Sequence, residues 1–401
     1  MKKCFLFIAL LLFACSCLLQ SCDIHENEIR PGISFSRIYN TEDFTTVYDP
    51  LDISTTADSG YLMLAARDAW TPYLLKTDHK GQFAWDRALP EPYVSPLPQL
   101  FSREGELFII CMDELNLGTY ILRLNQGGGE PEVIYSDPEL TYPLAASTTP
   151  EGGWLIQGFD REGRRSILSR LSPGFTEEWR AHYNILEDVE ERVIKHLSRT
   201  GKRLPFFTGY AAGNGNAGYF YFNGFNNFTL SLTFVDPADG EQLGLVNGFR
   251  DLTYMNAALP LQGETFALAK NSYGDNYLLP QSQLSARDIS SANELDTNNF
   301  PEIDPDARVV IRREQILGRD VLLYATHTKS KRIVIYAYDT TDGSLIGIEY
   351  LGQTSPYEMG NLVRTGDGGL AVLGKTYVAG RFTRLCLFKL TAGEVEGILL
   401  Q

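Results

Sequence analysis

The sequence predicts an all-β protein folded as a single β-propeller of seven four-stranded blades, with one short inserted helix. Three observations predict it. An apolar, strand-forming unit recurs along the chain, a glycine marks the same point in each copy, and Asp–Gly turns stand where a third strand must reverse into a fourth.

The unit reads as a Gly turn, an apolar run, a short polar loop, a second apolar run, another turn and a last strand. Its clearest copies span residues 58–89, 152–183 and 366–400. Weaker copies carry GELFIICMDE with TYILRLN, GYFYFNGF with LSLTFVD, GETFALAKNS with YLLPQSQL, and RDVLLYATH with RIVIYAYD. The marker glycines are Gly60, Gly105, Gly153, Gly218, Gly263, Gly318 and Gly368, spaced by 45, 48, 65, 45, 55 and 50 residues. One propeller blade takes roughly 40–50 residues. A blade is a small twisted sheet that cannot cover both of its faces alone, so stacking around an axis is what buries them. The segments 236–240 and 339–343, DPADG and TTDG preceded by Asp339, supply Asp for a side-chain turn bond and Gly for positive φ. They lack the ligand spacing of a calcium loop.

The 65-residue interval holds the one departure. Leu186, Val189, Val193 and Leu197 fall at helical spacing with charges opposite, which predicts an amphipathic helix over about 185–199 that packs on the propeller. Residues 33–39 look like an outer strand and are placed in the last blade, closing the ring. Residues 395–400 also read as that blade's outer strand.

Residues 1–21 read as a targeting segment: Lys2 and Lys3, then an apolar run from Phe5 to Leu19. Leu19-Gln20-Ser21-Cys22 resembles a bacterial lipobox, which makes Cys22 the lipidation site and residues 22–32 an acidic tether before a propeller over 33–401. Cleavage at Cys15 or Cys17 would leave Leu18 and Leu19 exposed. The expectation is an exported outer-membrane lipoprotein, facing the surface or the periplasm, whose membrane partner is its own lipid anchor. The formal charge of −15 argues against nucleic-acid binding. Cys111 and Cys386 sit in apolar runs and read as buried thiols, not a disulfide framework.

The repeats resemble the propeller units of lipoproteins from Bacteroidetes-type bacteria, with their DGG turn, apolar strand, polar loop, YLLKLD-like strand and Trp. The segments YLLKTDHKGQFAW (73–85) and LSRLSPGFTEEW (168–179) also look like the repeats of quinone-cofactor propellers. Only two copies carry the Trp, Trp85 and Trp179, so no cofactor is carried over. The resemblance covers nearly all of the chain after Cys22. It implies the fold, and a place beside a nutrient-uptake transporter, but no activity.

No zinc-type histidine pair, nucleophile elbow or phosphate loop occurs among the five histidines and the Gly-rich run 213–218, so no metal, no cofactor and no catalytic residue are expected. The function expected is non-catalytic binding or scaffolding for a glycan, a peptide or an envelope protein. The alternative is a glycoside hydrolase or lyase with carboxylates converging at the axial pocket. In an up-and-down blade the loops between second and third strands share a face with the blade-to-blade crossovers. On that face the candidate binding residues are Trp70, Tyr73, Arg161, Arg164, Phe225, Asn226, Tyr273, Tyr377 and Arg381, aromatics and polar groups suited to stacking on a sugar or anchoring a partner.

Overall fold

Runs of Leu, Ile, Val and aromatic residues become strands buried on both faces, such as Tyr61–Arg67, Trp154–Asp160 and Ile333–Asp339, because each sheet is covered by a neighbour on either side. A computed structural model describes residues 32–39, 45–213, 218–250, 252–295, 297–352, 355–378 and 382–401. The compact unit Ser34–Gln401 contains all the sheets.

Among the described residues seven sheets, antiparallel apart from one added strand in the fourth, follow one another in chain order as the blades of a propeller. Their inner strands are Tyr48–Thr55, Phe101–Arg103, Ala145–Thr148, Phe207–Ala211, Thr253–Pro260, Val310–Ile316 and Tyr357–Arg364. Each blade-to-blade contact has its own apolar cluster. Leu155 and Leu168 of the third blade meet Phe220 and Phe222 of the fourth, and Tyr61 and Met63 of the first meet Leu373 and Leu385 of the seventh. The seven marker glycines precede the seven second strands, as the spacing predicts. At Gly60 and Gly153 a Cβ would collide with the carbonyl oxygens of Thr77 and Leu171, where the third strand ends alongside.

The hairpins between third and fourth strands also repeat one device. An aromatic ring from the outer strand of one blade rests on the hairpin glycine of the next: Trp85 on Gly128, Trp179 on Gly240 and Phe35 on Gly81. These glycines have φ of +85°, +75° and +70°, where L side chains are strained. Trp179 Nε1 donates to Pro237 O at 2.9 Å, and Tyr39 Oη to Gly81 O at 3.0 Å. In the two predicted Asp–Gly turns, Asp236 accepts from Ala238 N and Asp339 from Thr341 N, both at 2.8 Å.

Phe35–Ile38 pairs antiparallel with Phe382–Leu390 as the outer strand of the seventh blade, so the ring closes on the N-terminal strand. The other reading, an outer strand at 395–400, is corrected. Those residues belong to a helix, Ala392–Ile398, started by a capping box in which Thr391 and Glu394 satisfy each other's backbone N–H groups. Val395 and Ile398 pack between the sixth and seventh blades. Among the described residues the fifth sheet pairs three strands, Thr253–Pro260, Thr265–Ser272 and Asp275–Gln283. The chain that would supply its outer strand, Ile289–Ser291, pairs in parallel with Gln242–Asn247 of the fourth blade.

The inserted helix is present as α1, Glu190–Leu197, between the third and fourth blades. Val189, Val193 and Leu197 are buried as predicted. Leu186 precedes the helix and is exposed, so it does not belong to the apolar stripe.

Candidate ligand site at the channel mouth

Two inner strands open with matching residues: Tyr48-Asp49-Pro50-Leu51-Asp52 in the first blade and Tyr357-Glu358-Met359-Gly360-Asn361 in the seventh. Residues three apart on a regular strand point to opposite faces. Here a register shift falls between Pro50 and Asp52, and another between Met359 and Asn361. The extra residue in each turns both polar side chains of its pair toward the axis, and all four line one cavity of about 390 Å3. Gly360 fits beside Pro50, where a Cβ would come within 2.8 Å of the Pro50 Cβ.

The cavity opens on the crossover face and is capped by the insertion that carries α1. Val189, Val193 and Leu197 pack with Val94, Met112, Phe206, Phe225 and Tyr254, which come from the second, fourth and fifth blades and the insertion itself. Arg199, just past the helix, holds the cap down. Its Nη1 donates to Ala69 O at 3.1 Å and its Nη2 to Pro96 O at 2.9 Å, and its Nε lies 3.5 Å from Asp49. Leu197 O accepts from Ser95 Oγ at 3.1 Å. Arg203, Leu204, Pro205 and Phe206 then run along the cavity wall.

Charged groups form a continuous chain around the mouth. Lys331 bridges Asp304 (3.0 Å) and Glu358 (2.9 Å), and Lys375 bridges Glu358 (3.2 Å) and Asp49 (3.1 Å). Asp49 also faces Arg199 and, at 3.7 Å, Arg203. Tyr377 Oη donates to Glu358 at 2.7 Å. Burial by itself would push both acids up, but the cations outweigh it: Lys375, Arg203 and Arg199 hold Asp49 far below the carboxylate range, and Lys375, Tyr377 and Lys331 hold Glu358 at about 2. Burial pushes His327 down to about 4 and His196 well below its ordinary value, so both are neutral near pH 7. Each accepts a backbone bond at Nδ1, His196 from Leu204 N at 2.9 Å and His327 from Met359 N at 3.4 Å.

Deeper in the channel, Arg308 leaves the sixth blade and crosses the axis, donating to Leu51 O at 3.0 Å and Pro98 O at 3.3 Å on the first and second blades. Arg312 donates to Asn361 Oδ1 at 3.1 Å. Asp52 accepts from Asn361 Nδ2 and Leu100 N, both at 2.6 Å, and from Ile53 N at 2.8 Å. Burial raises the Asp52 carboxyl in spite of Arg312 and Arg308 nearby.

The nine residues predicted on this face divide into four groups. Trp70, Arg161, Arg164 and Tyr273 are exposed there, and Arg161 is paired with Glu190 of α1 at 2.7 Å. Tyr377 is half-buried in the mouth. Tyr73, Phe225 and Asn226 are buried instead of exposed on that face. Tyr73 packs between the first and seventh blades and donates to Asp86 at 2.6 Å, Phe225 lies under Arg192 and against Phe206, and Asn226 Nδ2 bonds Thr233 (3.2 Å) and Gln242 (2.9 Å). Arg381 and Cys22 lie outside the described residues, as does most of the Gly-rich run at 213–218. Arg203, Arg308, Glu358, His327 and Lys375 were not singled out from sequence. The Tyr-acid-x-x-Asp/Asn match between 48–52 and 357–361 was the available signal for Glu358.

No family model matches the chain, and no curated protein matches it. Among solved structures it is similar to the core factor of S. cerevisiae at TM-score 0.52 and 10% identity, over 90% of this chain and 61% of that one. The chain thus spans less than two thirds of that protein. It is also similar to YCF48 from Cyanidioschyzon merolae at TM-score 0.48 and 11% identity (88% and 98% covered), and to the β-propeller domain of the Trilobed protease from Pyrococcus furiosus at TM-score 0.40 and 9% identity (88% and 98% covered). Likeness at such identity concerns the fold alone. Among the described residues no group of His, Cys, Asp and Glu is arranged to hold a metal ion, and no helix is long and apolar enough to cross a membrane. Cys111 and Cys386 are free, buried thiols pushed up by burial.

Proposed function

We propose that this chain is an exported lipoprotein, acylated at Cys22 and held at the outer membrane, that binds a glycan, a peptide or a segment of an envelope protein at the crossover-face mouth of its propeller, beside a nutrient-uptake transporter. One observation carries the binding site. A cavity of about 390 Å3 gathers polar and aromatic side chains from several blades beneath a cap that is itself an insertion into the repeat. That volume is within the usual range of small-ligand sites, roughly 300–1,000 Å3.

Glycoside hydrolysis needs one carboxyl that keeps its proton opposite one that is ionised. Asp49 and Glu358 are both held ionised by the Lys375 between them, and Asp52, whose carboxyl burial raises, has both oxygens accepting from Asn361, Ile53 and Leu100, which leaves no O–H aimed at a substrate. This arrangement supports binding over bond cleavage. Two measurements test the reading on the full-length, detergent-solubilised protein. Cys22→Ser should abolish incorporation of labelled palmitate. Gln99→Trp, from an exposed position on the cavity wall, should abolish retention on a glycan or peptide array. Retention unchanged by Gln99→Trp would put the site elsewhere on the ring.

A further inference from the structure

We propose that the ligand of this cavity is anionic, a small molecule held by a carboxylate or phosphate group against Arg203, Arg308 and Arg312. The inference rests on the reading that the channel mouth is the binding site, and adds the chemistry of what enters it.

The cavity wall carries Asp49, Asp52, Asp306 and Glu358 beside Arg203, Arg308, Arg312 and Lys375, so a bare count of charges decides nothing. What decides is which groups still have bonding capacity. Three of the carboxylates are satisfied: Asp49 by Lys375, Arg199 and Arg203, Glu358 by Lys375, Lys331 and Tyr377, and Asp52 by Asn361 and two backbone N–H groups. The arginines are not satisfied in the same way. Among the described residues Arg308 donates only to the carbonyls of Leu51 and Pro98, and Arg312 only to the amide oxygen of Asn361. Among the described residues neither comes within ion-pair distance of a carboxylate. Arg203 has one shared acid at 3.7 Å. Arg203 Nη1 and Arg312 Nε are buried with no hydrogen-bond acceptor among the described residues.

Three guanidinium groups in a confined space, with Arg203 Nη1 and Arg312 Nε buried without a hydrogen-bond acceptor and the nearby acids engaged by other donors, are an unfavourable arrangement for an empty site. Burial holds both Arg203 and Arg308 below the ordinary arginine value against the pull of Asp49 on Arg203 and of Asp52 and Asp49 on Arg308, and Arg312 and Arg203 add to the lowering at Arg308. An oxyanion would accept from the free N–H groups and neutralise the cluster. The planar fork of a guanidinium matches both carboxylate and phosphate. Arg308 keeps much of its surface open to the channel, so it can meet a ligand without rearrangement. The location also runs against the chain as a whole, whose formal charge is −15.

The test uses three probes that share a sugar ring: glucuronic acid, glucose 6-phosphate and glucose, titrated calorimetrically into the full-length protein at low salt. At least one acidic sugar should bind ten-fold or more tightly than glucose, and which one does identifies carboxylate or phosphate as the group recognised. Arg203→Gln and Arg308→Gln should each weaken that binding at least ten-fold, with Arg203→Lys partly restoring it. Should Arg308→Gln lose its fold by circular dichroism, Arg203→Gln decides. Glucose binding as tightly as the acidic sugars, with all binding blocked by Gln99→Trp, would overturn the anion while leaving the site. Binding of an acidic sugar untouched by Gln99→Trp and by the arginine changes would overturn the site. No saturable binding of any of the three would overturn the anion proposal.

Discussion

The two faces of the ring are made from the same strands by different means. On the hairpin face, local devices recur. A glycine at positive φ carries a ring from the preceding blade at Gly81, Gly128 and Gly240, and a Thr-x-Asp-x-Gly turn is clamped by a lysine at Asp58–Lys76 and again at Asp367–Lys389. On the crossover face the interactions are distant in sequence. Lys375 meets Asp49, Arg308 meets Leu51, and Arg199 meets Ala69. The hairpin face holds blades in register, whereas the crossover face brings together residues that no single blade could. A repeat fold thus keeps its structural chemistry in the repeat and places its unique chemistry where the repeat is interrupted.

That contrast can be broken by substitution. The largest effect should come from Lys375→Met. Removing the cation leaves Asp49 and Glu358 facing each other in a buried site, and losing one partner of a buried pair costs about 3–5 kcal/mol, measurable by urea unfolding. Arg199→Ala should cost about 1–3 kcal/mol, because two buried carbonyls lose their donor. Its more telling effect should be local, with faster proteolysis and hydrogen exchange at 185–206 and little change in the blades. Gly240→Ala puts a Cβ at φ +75° and 2.7 Å from the Trp179 ring. It should cost about 1–3 kcal/mol and leave ligand affinity unchanged, which separates the two faces.

The smallest effect is the dependence on pH. His196 and His327 titrate below their ordinary values when folded, so the unfolded chain takes up protons first as pH falls. Their contribution is fully present above about 6.5 and is lost as pH falls toward about 4 at His327. Asp49 and Glu358 contribute stability above the ordinary carboxylate range, lost as pH falls toward about 2 at Glu358. The thermal midpoint should therefore drop from pH 7 to pH 5, and His327→Gln should flatten that drop. An unchanged slope in the variant would assign the effect to His196.

The propeller was legible because its signals are local. Glycines at a fixed point, Asp–Gly hairpins and buried apolar runs each depend on a few adjacent residues. The third strand of the fifth blade, Asp275–Gln283, looks like any other third strand, so nothing local revealed that the chain after it joins the neighbouring blade. The C-terminal segment kept an apolar pattern that suits a strand, and the capping box at Thr391 and Glu394 was the overlooked signal for a helix. Topology places the loops between second and third strands on one face, but it does not reveal that Tyr73 and Phe225 stand on strands buried on both faces. The arginines of the cavity had no sequence signal, because what distinguishes them, guanidinium N–H groups left without an acceptor, depends on neighbours distant in sequence.

The proposed binding site is the crossover-face mouth. The most direct measurement is hydrogen–deuterium exchange of the full-length protein with and without saturating glucuronic acid or glucose 6-phosphate, whichever binds. Ligand should add protection at 45–52, 195–206, 304–312 and 357–361, and none in the hairpins around Gly81, Gly128, Gly240 and Gly343. Protection confined to those hairpins, or spread evenly over all seven blades, would contradict it.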